Sequence, residues 1–426
     1  MASTYASLCK PFFDAIIVGD AEGSVRQIYE DYSRGKLQSV YVSGAYDQAS
    51  VPVPRFDLLV GKQRFPLALE ATRGCPFSCE FCALTGLGTR HHTRPTELIV
   101  RDIREGQRML RGLVPWHKRR MVLFCDNNIG GNLSYLSELC EALNPLKIRW
   151  GSAITFNAIA NLQIVKTLSR SGCRLLFVGL ESFNPAALAD MHKHLNAIDK
   201  MRTAIDQCRD HGILIVSGLM ISPTVDDGNY IRMIPKHLKE SGLHVPSFIC
   251  FECPIPGTPY FHRLASGATP QFLSNGLLRD FTGYTLVVKP KHETIDNLVD
   301  AYKWLLNEVY SKKTRLSKLV DDLRHFISNG HLLPSLIDLV NQSSAEPPLN
   351  QARTFLAGSD LPPPEATSVP LTEADFDSDT ERRSIMAPWR VTDSDGCVLP
   401  EWLASTTIFE SKGRVSTSAL SLTATA

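Results

Sequence analysis

The sequence predicts an α/β protein, and three observations predict it. Between Phe65 and about Pro256, six short apolar runs alternate with stretches of helical periodicity. Each run is apolar almost throughout, as in parallel strands buried on both faces. The intervening stretches carry helix punctuation, such as Gly172 where NLQIVKTLSRSG would stop. Repeated strand–helix order implies right-handed crossovers and fits an incomplete barrel or an open doubly wound sheet. Periodicity alone does not choose between them.

In chain order, DAIIVGDAEG reads as a strand ending in a glycine turn, and SVRQIYEDYSRG as the helix after it. Residues 51–57, VPVPRFD, hold two prolines and read as a linker. The strand candidates are FPLALEAT, RMVLFCDN, IRWGSAIT, RLLFVGLES, ILIVSGLMI and VPSFICFECP, starting at Phe65, Arg120, Ile148, Arg174, Ile213 and Val245. PTELIVRDIREGQRMLRGL and LSYLSELCEAL are among the helices between them. The segment from Thr294 to Ile327 is strongly helical in pattern and charge. From Asn341 to Ala426, 86 residues hold 22 Ser or Thr and 8 Pro without a sustained period, which predicts a mostly disordered tail. Within it, MAPWRVTDSDGCVLPEWL could be a short docking segment. The expected domains are 1–57, 58–265, 266–340 and 341–426.

Composition narrows the class. At roughly 150 residues per domain, 426 residues predict two to three domains. Lys plus Arg is 45 and Asp plus Glu 44, a net charge of +1. That balance speaks against a nucleic-acid partner bound through bulk charge and against a polybasic membrane binder. No run approaches a membrane span, and the first residues lack the basic and apolar regions of a secretory signal. A cytoplasmic location is therefore expected, where 11 cysteines point to metal or redox chemistry before disulfides.

Three of those cysteines crowd into RGCPFSCEFCALT, at spacing C-x3-C-x2-C, directly after the first barrel-region strand. A structural zinc site needs four ligands, and its second pair would have to be Cys250 and Cys253 on the sixth strand candidate. Burial as core thiols conflicts with a polar loop containing Gly and Pro. A [4Fe–4S] cluster uses soft thiolate donors. Cys75, Cys79 and Cys82 would fix three irons and leave the fourth open to chelate a small molecule. A loop at the C-terminal end of a strand is also where α/β barrels keep their active sites.

With Phe81 just before the third cysteine, the motif resembles the signature of radical S-adenosylmethionine enzymes. The resemblance covers roughly residues 65–260. It implies a partial (β/α)6 TIM-like barrel and a [4Fe–4S] cluster on Cys75, Cys79 and Cys82. The open iron would chelate S-adenosylmethionine, and one electron would cleave it to a 5′-deoxyadenosyl radical. Phe81 would border the adenine. The loop CDNNIGG, with Asp126, Asn127 and Gly130, would lie near the methionine amino group. Ser152 and Thr155 would reach the ribose or the methionine carboxylate. Glu181, in GLES, would lie near the adenosyl group, and Ser217 and Gly218, in SGLMISP, near the adenine. PIPGTP, Pro254–Pro259, resembles a structural turn of the same enzymes. His91, His92, Arg90 and Arg94 are further candidates for contact with substrate or cofactor, and Cys250 with Cys253 for core, redox or radical-quenching roles.

The N-terminal segment resembles the last strand and helix of the cobalamin-binding domain in one subgroup of these enzymes. The segment is short for such a domain and the D-x-H-x-x-G motif is absent, so it is expected to be a small Rossmann-like remnant, with a fragment of a longer chain or a chain that does not use cobalamin as the alternatives. Cobalamin stays a possible cofactor, but its binding by this chain alone is not the expectation. The implied function is hydrogen abstraction from a small metabolite or lipid precursor, leading to methylation or carbon-skeleton or ring modification. A one-electron reductant such as flavodoxin or ferredoxin would be the partner. The rivals are a radical enzyme acting on peptide or RNA, and a non-catalytic iron–sulfur protein for electron transfer or scaffolding.

Overall fold

The structure, a computed structural model, describes residues 13–43, 51–61, 65–86, 91–193, 198–255, 257–265, 281–331, 390–392 and 398–400. At the N-terminal side, β1 (Ile16–Val18) and β2 (Val40–Val42) run parallel, joined by helix α1 (Val25–Ser33). Gly19 makes the expected turn after β1 at φ 98°, a backbone conformation that favours glycine. Tyr41 ties the unit together by donating its hydroxyl to Asp31 at 3.0 Å.

The barrel region follows as β3 (Leu67–Leu69), β4 (Thr72–Arg73), α2 (Ala83–Gly86), β5 (His92–Thr93) and α3 (Thr96–Met109). Next come β6 (Met121–Phe124), α4 (Leu133–Leu143), β7 (Arg149–Thr155), α5 (Phe156–Ile159) and α6 (Leu162–Arg170). Then β8 (Cys173–Glu181), α7 (Pro185–Asp190), α8 (Ile198–Asp210), β9 (Leu214–Ile221), α9 (Gly228–Ser241) and β10 (Phe248–Phe251) complete the repeats. The helices α10 (Pro259–Ala265), α11 (Ile295–Val309) and α12 (Lys312–Ser328) come after them. In the expected tail, β11 (Arg390–Thr392) pairs antiparallel with β12 (Val398–Pro400), inside the segment read as a docking island. The rest of 341–426 lies outside the described residues.

All six expected barrel strands form one sheet in the order β3-β6-β7-β8-β9-β10, every pair parallel. Strand order follows chain order without reversal. A doubly wound sheet requires a reversal. Right-handed crossovers without one place the helices on a single face, the geometry of a barrel wall. Among the described residues β3 and β10 each have one sheet neighbour, so the wall is an open arc, a partial (β/α)6 barrel.

The helices bury stripes at three- and four-residue spacing: Ile99, Ile103 and Gly106 on α3, Leu136, Leu139 and Leu143 on α4, and Ile231, Ile234 and Leu238 on α9. On β8 the buried residues Leu176, Val178 and Leu180 alternate with the partly exposed Phe177 and Gly179. Trp150 shows which side the helices take, since its indole donates to Ser171 Oγ just past α6 at 3.2 Å. The other face of the sheet is the open one.

Two elements differ from the sequence reading. β3 is shorter than FPLALEAT because the Ala71 and Thr72 N–H groups, which a strand would point to opposite edges, turn together to the Asp126 carboxylate at 2.9 and 2.8 Å. The helical segment after Thr294 breaks into α11 and α12, because Ser311 caps a new start by accepting from Thr314 N at 3.2 Å.

By contacts the chain divides into two compact units, one of Met1–Val51, Pro254–Thr282 and Ala366–Ala426, the other of Pro52–Cys253 and Gly283–Glu365. Helices α11 and α12 thus belong with the barrel, where α11 packs on α9 and α12 on α8. A buried ion group holds α12 in place. Asp322 meets Arg209 of α8 at 2.7 Å and Lys318 at 2.5 Å, and all three side chains are at most 7% exposed. Asp322→Ala removes the carboxylate shared by two buried cations. Chemical denaturation should report a loss of about 3–5 kcal/mol.

Candidate active site

The cysteine loop leaves the C-terminal end of β3 through a two-residue ladder, β4 against β5. Cys75, Cys79 and Cys82 are all partly exposed and free of disulfides. The loop turns tightly, with Cys82 N donating to Cys79 O at 3.2 Å and Thr85 N to Cys82 O at 3.0 Å. Phe81 is half-buried within it.

Asp126 fixes the root of this loop. It is 5% exposed and accepts from Ala71 N, Thr72 N and the Thr72 hydroxyl at 2.8 to 2.9 Å. Its role in this structure is a clamp between β6 and the cysteine loop. Asn127 is exposed, and Gly130 allows close packing, since a Cβ there would lie 2.8 Å from Ile154. The residue of this loop that reaches the cysteines is Asn128, with Nδ2 3.6 Å from Cys75 Sγ and Oδ1 accepting from Thr155 N at 3.3 Å.

Glu181 ends β8 at a bulge in the ladder to β9 and has φ 64°. A left-handed backbone at a non-glycine residue costs on the order of 1–2 kcal/mol and needs external support. Lys193 supplies it, bonding both the Glu181 carboxylate and the Gly179 carbonyl, the latter at 3.0 Å. The segment carrying Lys193 also docks on the cysteine loop, where Glu80 N donates to Met191 O at 3.3 Å. Burial is the main influence raising the Cys79 thiol. The Lys193 ammonium opposes it, while Cys82, Glu181 and Cys75 add to it. One ammonium therefore serves both the carboxylate and the thiol.

Register separates the remaining expected residues, because partners in a parallel ladder face the same side. Thr155, Gly179, Gly218 and Phe248 form one row across the sheet on the open face. Ala153, Phe177 and Val216 form the next row. Ser152 pairs with Leu176 and Ser217 with Val178, so both serines lie on the helix-packed face. The Ser152 hydroxyl donates to Phe124 O at 3.1 Å, and Ser217 is 1% exposed. Neither reaches the open face, because a one-residue difference in parity exchanges the two sides. Gly218 does face it, but the Phe248 ring fills its space, 2.2 Å from where a Cβ would stand. Phe248 stacks on Phe177 with centroids 5.9 Å apart and planes at 20°.

Other candidates are engaged elsewhere. Arg94 is held by Asp102 at 2.7 Å in a buried pair, so it is not offered to a ligand. Arg90 lies outside the described residues. His92 is exposed on β5, and His91 and Pro76 both pack against Gly131, where a Cβ would lie 2.6 and 2.9 Å from them. Cys250 pairs with Met220 at the mouth of the open face, and burial pushes its thiol up to about 12.

Among the described residues no three His, Cys, Asp or Glu side chains converge on a point that could hold a single ion. Cys250 and Cys253, which would complete a zinc set, stand on β10 and just past it, where burial pushes both thiols up to about 12. A cubane cluster spreads its ligands over different irons, so three soft thiols on one accessible loop with an amide donor beside Cys75 fit it. On binding such a group the thiols would release their protons to solvent. Lys193, Glu181, Asn128 and Thr155 bring polar side chains to this end of the sheet. Lys193 carries no motif legible in the sequence and enters the site through a docked turn, whereas Asn128 lies in the CDNNIGG loop that the sequence singled out.

Residues 69–234 match the family model described as the radical SAM superfamily. The match covers the barrel region, from β3 into α9. The chain is 27% identical over 257 residues to bacteriochlorophyllide d C-12(1)-methyltransferase of Chlorobaculum tepidum, covering 59% of this chain and 55% of that one. It is 24% identical over 349 residues to bacteriochlorophyllide d C-8(2)-methyltransferase of the same organism, covering 76% and 74%. Identity to the hopanoid C-2 methylase of Rhodopseudomonas palustris is 25% over 266 residues, covering 60% and 49%. The chain therefore spans about half the length of two of these relatives. A solved structure of the cobalamin-dependent S-adenosylmethionine radical enzyme OxsB shares the fold at TM-score 0.50 and 14% identity, over 87% of this chain and 66% of that one. Among the described residues no helix is long and apolar enough to cross a membrane.

Burial pushes the Asp126 carboxyl up to about 7, outweighing the donors on it. The folded protein therefore holds this proton more tightly than the unfolded chain, where the carboxyl titrates near 3.8. Its contribution to stability is complete below that value and is lost as pH rises through about 7. Thermal midpoints followed from about pH 5 to about pH 8 should fall with a component that Asp126→Asn lacks. The variant should also start lower, because its amide nitrogen would face N–H donors.

Proposed function

We propose that this chain is a radical S-adenosylmethionine enzyme that modifies an apolar, ring-bearing small molecule or lipid precursor, with methyl transfer as the favoured outcome. The observation that carries the proposal is the placement of Cys75, Cys79 and Cys82 on one loop at the mouth of the open face, beside the Glu181–Lys193 pair. In it Cys75, Cys79 and Cys82 hold a [4Fe–4S] cluster. When bound, the cluster supplies the electron that cleaves S-adenosylmethionine. Lys193 meets the carboxylate of that molecule, Glu181 its adenosyl part and Thr155 a polar group between them.

The open face supports an apolar substrate. Phe177, Phe248, Val216 and Met220 line it, and the charges at its mouth are paired, Glu70 with Arg73 at 2.6 Å and Glu181 with Lys193. Such a wall offers no cationic track for a phosphate backbone, which favours this substrate class over RNA. The named relatives acting on bacteriochlorophyllide and hopanoid agree with a ring-bearing substrate. Cobalamin stays a candidate cofactor of the class, but the described residues 13–43 include no histidine for a cobalt, so no step is assigned to it. A small one-electron carrier such as flavodoxin or ferredoxin is the proposed reductant, and the cytoplasm the proposed compartment.

After anaerobic reconstitution with iron and sulfide, the chain should release 5′-deoxyadenosine from S-adenosylmethionine on addition of dithionite. Absence of that product from an iron-loaded sample would overturn the proposal. Cys79→Ala should lose the cluster's visible absorption and fall to the background without enzyme. Glu181→Gln should keep the cluster and weaken S-adenosylmethionine binding about tenfold or more, as expected for one charged hydrogen bond worth ~1.5–3 kcal/mol. Equilibrium binding on the loaded protein checks this.

A further inference from the structure

We infer that Asn128 is a positioning residue that sets the electron affinity of the metal centre through a hydrogen bond to the Cys75 sulfur, an inference resting on the cluster reading proposed above. The Asn128 side chain is 1% exposed, so neither end of its amide is solvated. Its oxygen must face Thr155, because that backbone N–H, 3.3 Å away, requires an acceptor. The amide nitrogen is thereby turned to Cys75 Sγ at 3.6 Å. The orientation follows from the partner on one side and does not depend on the sulfur.

Both sides of the contact are rigid. The Asn128 loop is pinned by Ile129 N on Ala153 O at 3.0 Å and by Gly131 N on Asn128 O at 3.1 Å. Asp126, two residues earlier, grips Ala71 and Thr72 at the root of the cysteine loop. One short stretch thus fixes both the donor and the ligand it addresses.

An N–H donor on a thiolate ligand favours the more negative state of a cluster, and so raises its reduction potential. Reduction adds one electron and one negative charge at the centre, which the Asn128 amide stabilises more than it does the oxidised state. The same contact makes Cys75 electronically distinct from Cys79 and Cys82.

The test uses the full chain reconstituted anaerobically with iron and sulfide, without S-adenosylmethionine. The reduced cluster is followed by electron paramagnetic resonance during a redox titration. Asn128→Asp keeps the oxygen on Thr155 N and places a second oxygen toward the sulfur. Asn128→Leu removes the donor without adding charge. At the wild-type midpoint, the reduced-to-oxidised ratio should fall about tenfold in Asn128→Asp, a shift of ~59 mV for one electron. Asn128→Leu should shift the same way by less. Unchanged midpoints in iron-loaded variants would overturn the inference. So would loss of iron from both variants while the wild type loads, which would mark the residue as purely structural. A wild type that takes up no iron would instead sink the cluster reading itself.

Discussion

One buried carboxylate fixes where the chemistry of this protein can stand. Asp126 follows β6, yet its oxygens bind the chain just after β3, at Ala71 and Thr72. A strand would point these consecutive N–H groups to opposite edges; held together on one carboxylate, they end β3 and start the cysteine loop in a defined direction. The strand beside β3 thereby decides the height at which Cys75 emerges, and Asn128, two residues beyond the clamp, is delivered to its sulfur. Loss of the clamp would leave two backbone donors unmatched in a buried place, at a cost of about 1–3 kcal/mol each.

The second constraint is the Glu181–Lys193 pair. A strand that ran straight would carry residue 181 past the open face. The bulge and the left-handed backbone at Glu181 turn the carboxylate back over Gly179, where only a glycine leaves it room. Lys193 holds it there and acts on the Cys79 thiol at the same time. Charge at the mouth is thus balanced before any ligand arrives, while the wall below is aromatic and aliphatic. The site is divided into a polar rim for a charged cofactor and an apolar floor.

Much of this was legible in the sequence, for identifiable reasons. Six buried parallel strands write themselves as apolar runs, and LSYLSELCEAL coincides with α4 because its stripe and its Asn132 cap agree. The cysteine spacing located the loop. Periodicity alone did not give strand order, since alternation of strand and helix is the same in a barrel and in a doubly wound sheet; the resemblance carried by the cysteine motif implied the barrel, and the unreversed order agrees. The facing of Ser152 and Ser217 was not legible. A strand apolar on both sides carries no parity signal, so the hydroxyls could be assigned to either face, and register alone decides. Lys193 was invisible for another reason: it reaches Glu181 across 12 residues through a turn whose shape depends on docking against the cysteine loop. The break between α11 and α12 rests on a single serine cap in a charged, strongly helical run.

The unreversed strand order also governs how the molecule can be assembled. Each strand hydrogen-bonds to the one made just before it, so the sheet can grow vectorially as the chain emerges, with every new unit adding to a finished edge. The cysteine loop is made early in this sequence. Its clamp arrives 55 residues later. During that interval three thiols sit on an untethered segment, open to oxidation or to stray metal. The order of synthesis therefore sets a window in which the nascent loop depends on a reducing environment, and the closing of that window is the docking of β6.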